Sequence, residues 1–350
     1  RDAHTTLVEI GLRSTPMPPH GTRFVDDASN DERPRLTRQE RKAIARSTLD
    51  IIEAGYYVTE TGTLVDVLDT TAKAIRSTTM SIPRQILAPS GTVQTGIDVI
   101  NGGTLGAGLK LHQEGYTPCA LNFASARNPG GGFANGAEAQ EENLARNSML
   151  YSCLTVDSAH PFYEGHNAQR RPLYSDDMIY SRAVPIIREE WTGRLLDGPW
   201  PLSFVTAAAP NAGNARKHGI PEREISAAVE KRASRVLNLA ASNGHDALVL
   251  GAWGCGVFQN HPSEVASVFY RLLHGPYRGV FRRVTFAIIG PVTNQAPFMA
   301  AFGSGGNARL HAPVSLEMKQ QASGREDSRG KARKAFGKRV PTRREEDELD

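Results

Sequence analysis

Four apolar runs punctuate the chain, at 119–124, 202–208, 247–251 and 284–289, each bounded by small or polar residues. Runs of this length read as strands buried on both faces. Between them, apolar positions recur at helical spacing over 140–154, 221–242 and 262–273. Strands alternating with helices predict an α/β fold whose sheet is largely parallel. In such sheets ligands sit beyond the carboxyl ends of the strands, so chemistry is sought in the loops that follow them.

Upstream, residues 37–56 predict a helix. Thr37 is its N-cap and Glu40 the capping-box partner; Ile44, Leu49, Ile51 and Ile52 supply apolar positions, and Gly55 stops it. A short strand is predicted at 62–67. Segment 36–92 is expected to be an extension packing on a main domain at 93–303. Residues 1–35 and 304–350 are polar, without sustained periodicity, and are expected to be disordered. The last of these holds a basic cluster at 324–344 before an acidic end at 345–350. A solvated tail is the favoured reading over contact with a nucleic acid or other polyanion. No internal repeat is found.

Composition narrows the class. No stretch approaches the roughly 18 apolar residues of a membrane helix, and no apolar signal-peptide core opens the chain, so a soluble, intracellular protein without membrane contact is expected, as a monomer. Cys119, Cys153 and Cys255 are odd in number and lack CxxC spacing, which suggests neither disulfides nor zinc and fits a reducing compartment. The ten histidines show no HxxxH or HxH spacing, and the P-loop pattern is absent. Metal and P-loop chemistry are therefore not expected, and no cofactor is implied.

Two post-strand loops carry the candidate chemistry. The first runs from Asn122 through Ser125, Asn128 and the triplet Gly130-Gly131-Gly132 to Phe133, then into a helix that opens with Gln140, Glu141 and Glu142. Glycines admit positive φ and close backbone approach, and the helix that follows aims its free N–H groups at the same place, an arrangement suited to phosphate. Adjacent residues on a helix point about 100° apart, so Glu141 and Glu142 cannot both face one atom. The second loop reads Trp253-Gly254-Cys255-Gly256-Val257-Phe258 and also meets a helix N-terminus. Two such loops at one sheet edge could hold a diphosphate between them, with Phe258 offering a face for stacking. Cys255 lacks a neighbouring histidine and is disfavoured as a nucleophile. The 207–211 segment and the 174–180 stretch, polar and aromatic, are weaker candidates.

With both loops in place, the sequence resembles the microbial-type poly(ADP-ribose) glycohydrolases, which have the macrodomain fold. The signature is GGG, a spacer, then QEE; here Gly130, Gly131 and Gly132 are followed by seven residues and then Gln140, Glu141 and Glu142. The likeness extends over roughly residues 38–302. It implies a three-layer α/β/α domain with a mixed, largely parallel sheet and an N-terminal helical extension. It also implies exo hydrolysis of ribose–ribose O-glycosidic bonds in poly(ADP-ribose), releasing ADP-ribose, with the polymer and ADP-ribosylated proteins as partners. Carried over by position, Glu142 is the catalytic glutamate and Glu141 orients the scissile ribose. Residues 254–258 bind diphosphate, Phe258 packs on ADP-ribose, Ser125 and Asn128 lie in the stretch that contacts the terminal ribose, and Gly131, Gly132, Phe133 and Gln140 are further substrate-binding residues. The alternatives are a non-catalytic ADP-ribose-binding macrodomain, which would not need the glutamates, and a mono-ADP-ribosyl hydrolase using the same acid.

Overall fold

The computed structural model describes residues 24–26, 34–81 and 91–303, all within one unit, Arg1–Ala308. Both expected disordered tails, apart from 24–26 and 34–35, lie outside the described residues. The elements in chain order begin with β1 (Phe24–Asp26), α1 (Arg38–Ala54), β2 (Tyr56–Val58), β3 (Leu64–Asp66), α2 (Leu68–Arg76) and β4 (Thr79–Ser81). There follow β5 (Gly96–Asn101), α3 (Thr104–Gln113), β6 (Pro118–Phe123), α4 (Gln140–Asn147), α5 (Leu150–Leu154), α6 (His160–Gln169), β7 (Met178–Arg188) and β8 (Leu195–Ala207). The chain continues with α7 (Ala212–Lys217), α8 (Glu222–Ser242), β9 (Ala247–Leu250), α9 (Pro262–His274), β10 (Arg283–Ala287) and α10 (Val292–Phe302).

Among the described residues, eight strands form the main sheet in the order β1-β5-β10-β9-β6-β8-β7-β4. Pairing is parallel from β1 to β8 and antiparallel for β8–β7 and β7–β4. The apolar runs alternate across the sheet as a strand period of two requires. Cys119, Leu121, Leu248 and Leu250 join one core with side chains of α8, α9 and α10. Ala120, Val249, Ile179 and Phe204 join a second core with residues of α1, α2, α3, α5 and α6. The result is the expected three-layer α/β/α domain.

α1 forms as its sequence directs. Glu40 N donates to Thr37 Oγ1 at 3.2 Å, and Thr37 N donates to the Glu40 carboxylate at 2.6 Å. Gly55 closes the helix at φ 78°.

The 36–92 segment, expected to be an extension packing on the main domain, contributes β4, which pairs with β7 in the main sheet. Two expectations are corrected. Residues 24–26, expected to be disordered, pair with β5. The helix over 140–154 is broken at Ser148, whose backbone is extended (φ −147°) and bridges to Ile186, while Met149 N donates to Pro185 O at 2.9 Å.

Candidate active site

The first loop leaves the carboxyl end of β6. Gly130 and Gly131 take positive φ (69° and 57°), and the turn continues through a 3-10 turn at Phe133–Asn135 to α4. α1 supports this turn from outside. Arg38 Nε donates to Asn135 O at 3.1 Å and Arg41 Nε to Gly136 O at 2.9 Å, and Arg41 pairs with Glu138 at 2.9 Å. Phe133, expected among the substrate-binding residues, is 2% exposed and packs into a small core with Ala45 and Ala145, tilted against Tyr151 at 4.8 Å. Its apolar ring is buried there and supports the turn.

The three residues that open α4 have separate surroundings. Gln140 Oε1 accepts from Phe123 N at 2.8 Å, and its amide donates to Leu121 O at 2.8 Å and Thr104 Oγ1 at 3.1 Å. These bonds fasten α4 to β6 and α3. Glu141 is 2% exposed and accepts from Ser125 N at 2.6 Å and Asn122 Nδ2 at 3.3 Å. Burial pushes its carboxyl up to about 8, opposed by those donors and reinforced by the neighbouring Glu142. Glu142 is partly open, and its Oε1 accepts from Gly132 N at 3.0 Å. A Cβ on Gly131 would overlap this carboxylate, so glycine is required for Glu142 to lie where it does. Asn128 is exposed at the turn's entrance, and its N–H is held by Ser125 Oγ at 3.1 Å.

The second loop follows β9. Trp253 is buried and donates from Nε1 to Ala207 O at 3.1 Å, tying the loop to the end of β8. Asn260 donates to Pro210 O at 2.8 Å and Gly254 O at 3.1 Å. A Cβ on Gly254 (φ 71°) would overlap Asn260 and Ala209. Gly256 and Val257 are exposed at the loop tip. Burial pushes the Cys255 thiol up to about 12, which favours its protonated form. Phe258 packs against Tyr174 with ring centroids 5.7 Å apart, which brings the 174–180 stretch to the same site.

A cleft of about 380 Å³ opens beyond the carboxyl ends of β5, β6, β9 and β10. Gly102, Phe123, Gln140, Gly256, Ile288 and Glu190 are among its walls, so the second glycine loop, the end of β6 and the start of α4 border one space. Glu141 and Glu142 are not among the lining residues; they lie one step along α4, against the glycine turn. Sequence reasoning missed Glu190. It is 7% exposed and accepts from Leu105 N at 3.2 Å and Gly106 N at 2.7 Å, and a Cβ on Gly103 would overlap its carboxylate. Nothing around Glu189-Glu190-Trp191 marked it, because its partner is a distant helix start that was itself unpredicted.

The family model "Microbial-type PARG, catalytic domain" matches residues 45–189. The crystal structure of poly(ADP-ribose) glycohydrolase from Thermomonospora curvata is 42% identical, with TM-score 0.71, covering 75% of this chain and 100% of its own. The chain belongs to the bacterial poly(ADP-ribose) glycohydrolases. The same Thermomonospora curvata protein bound to the inhibitor ADP-HPD matches at 42% identity and TM-score 0.70, over 75% of this chain and 100% of that one. The poly(ADP-ribose) glycohydrolase of Deinococcus radiodurans in complex with ADP-ribose matches at 40% identity and TM-score 0.63, covering 67% of this chain and 97% of that one. No curated protein matches the chain. Within this glycohydrolase the family model spans the Gly130–Gly132 turn and the Gln140–Glu142 triplet, whereas the 253–258 loop lies beyond it.

Proposed function

We propose that Glu142 is the general acid and base with which this poly(ADP-ribose) glycohydrolase cleaves the ribose–ribose O-glycosidic bond, acting from the polymer end to release ADP-ribose. The observation that carries the assignment is the pairing of Glu142 Oε1 with Gly132 N at 3.0 Å beside a glycine whose missing side chain makes the room. Glu142 is the partly open member of the acidic pair, while Glu141 is sealed behind Ser125 and Asn122. In the reaction the protonated Glu142 gives its proton to the leaving ribose oxygen as the C1–O bond breaks and positive charge builds on the sugar. A water attacks that carbon, and Glu142 takes the water's proton, so the carboxyl is restored. Glu141 is a positioning residue that holds the 122–125 strand end in register with α4.

The ligand arrangement follows from the two loops. A cleft of about 380 Å³ falls within the range of small-molecule sites, and its wall at Gln140 abuts the glutamates. The ADP-ribose unit lies with its nucleotide in that cleft, its diphosphate against the backbone of 254–258, and its distal ribose toward Glu142. Arg41 and Arg146 on the cleft wall add positive charge. A non-catalytic binder would not need a carboxylate held in this way. Exo action and the polymer as preferred substrate rest on family likeness.

Time courses of ADP-ribose release from automodified, polymer-bearing protein test the reading. Wild type should release ADP-ribose as the main product, and Glu142→Gln should lose at least ~100-fold in turnover while still binding ADP-ribose, the scale of acid–base catalysis. Retained turnover would overturn the role of Glu142; release of oligomers ahead of ADP-ribose would overturn exo action.

A further inference from the structure

The 174–180 stretch brings an aromatic ring to the site, and the chain around that ring is held more firmly than a surface loop requires. Tyr174 takes a left-handed backbone (φ 58°), which is uncommon for a bulky residue and persists only where its surroundings fix it. Those surroundings are specific. Tyr174 N donates to Arg171 O at 3.0 Å, and Asn211 N donates to Pro172 O at 2.9 Å. The buried Arg232 of α8 donates to Leu173 O and Ala208 O, each at 2.8 Å, and pairs with Asp176 at 3.1 Å.

The next residue is held by a histidine inside the fold. His166, 3% exposed on α6, has its Nδ1 2.6 Å from Phe162 O. A carbonyl only accepts, so Nδ1 carries the hydrogen and the neutral ring presents Nε2 as an acceptor. Ser175 N donates to that Nε2 at 3.1 Å. The same ring meets Tyr174 edge-on, with centroids 5.6 Å apart and planes at 86°, and Tyr174 in turn packs on Phe258. A continuous line of contacts thus runs from the interior of α6 to the aromatic side chain of the second glycine loop.

We infer that His166 is a positioning residue for substrate binding: it fixes Ser175 and Tyr174, which hold Phe258 in place to receive ADP-ribose. The inference rests on the reading that Phe258 faces that ligand. The groups that face His166 agree with a neutral ring. Arg232 from α8 opposes its protonation, Asp177 favours it, and burial outweighs both to hold the imidazole below its ordinary range.

Steady-state kinetics on polymer-bearing protein separate the possibilities. His166→Leu keeps bulk but removes the acceptor, and should raise KM about tenfold with kcat changed less than about threefold, the size of one lost buried hydrogen bond. His166→Gln places an oxygen near the Nε2 position and should recover most of that loss. In a Tyr174→Leu background, His166→Gln and His166→Leu should give the same KM within about twofold, because the path runs through Tyr174. Phe258→Ala is the control on the underlying reading. If Phe258→Ala leaves KM unchanged, the assignment of that loop to substrate fails. If Phe258→Ala raises KM while His166→Leu does not, or if the two His166 effects persist undiminished in the Tyr174→Leu background, the positioning role fails. Should His166→Leu not fold, His166→Asn decides instead, because its amide reaches the Nδ1 position and leaves the Nε2 position empty: KM should rise about tenfold relative to His166→Gln, and equal KM values in the two variants would overturn the inference.

Discussion

The backbone of Gly131 sits at φ 57°, and the space beside it is filled by the Glu142 carboxylate. Gly131→Ala therefore combines a left-handed strain of about 1 kcal/mol or more with a direct overlap that swings Glu142 away. Turnover should fall at least ~10-fold with only a small loss of thermal stability, and unchanged kcat in a folded variant would show that Glu142 does not depend on this turn. Glu141 gives a prediction of opposite kind. Its folded-state carboxyl is pushed up to about 8 from an ordinary 4.5. Below the ordinary value both folded and unfolded chains hold this proton. As pH rises toward 8 the unfolded chain gives it up first, so this group's contribution to stability declines across that window. Urea unfolding between pH 5 and pH 8 should show Glu141→Gln with a shallower fall in stability than wild type. An identical slope would mean that the N–H donors of Ser125 and Asn122 outweigh burial and keep the carboxylate charged.

At the scale of elements, α1 matters because it backs the glycine turn through Arg38 and Arg41 and reaches α4 through Thr48 Oγ1, which donates to Arg146 O at 2.6 Å. Thr37→Ala removes the cap and should cost about 1 kcal/mol in equilibrium unfolding. If α1 only decorates the fold, kcat will not change; if it steadies the turn, Arg41→Ala, which takes away both a carbonyl partner and the Glu138 pair, will lower kcat as well as stability. This helix was legible in the sequence because its start and stop are local chemistry: Thr37, Glu40 and Gly55 act within a few residues of themselves. The four central strands were legible because their apolar runs are continuous. β5 and α3 were not, since Gly96-Ile97-Asp98 and the glycines at 103, 106 and 108 weaken both patterns, and their pairing partners lie far along the chain. β8 extends to Leu195 through exposed and half-exposed residues, so only its buried half showed. The break at Ser148 is set by Ile186 and Pro185, which no window around residue 148 contains. Likewise the GGG-spacer-QEE pattern singled out Gln140, Glu141 and Glu142, yet its spacing could not show that Phe133 faces inward or that Gln140 spends its amide on protein groups.

Across the whole molecule the parallel strands deliver three loops to one edge of the sheet: Trp253 and Asn260 tie the second loop to the 207–210 segment, Arg232 ties that segment to α8, and Gln140 ties α4 to β6. Such a site is largely formed before ligand arrives, so binding should stabilise the fold by mass action without large rearrangement. ADP-ribose at one hundred times its Kd should add about 2.7 kcal/mol to wild type, which for a domain of this size raises Tm on the order of 5 °C. The division of labour between loops makes the pattern across variants diagnostic. On the proposed assignment, Glu142→Gln, which changes one atom in the acid group, should keep the full Tm increase at matched ligand. Phe258→Ala should lose most of it, because on that assignment its ring and the backbone it anchors hold the ligand. Differential scanning fluorimetry over a ligand series reads both. A full increase in Phe258→Ala together with none in Glu142→Gln would exchange the two roles, making the acidic pair the anchor of the ligand and leaving the second loop without a part in holding it.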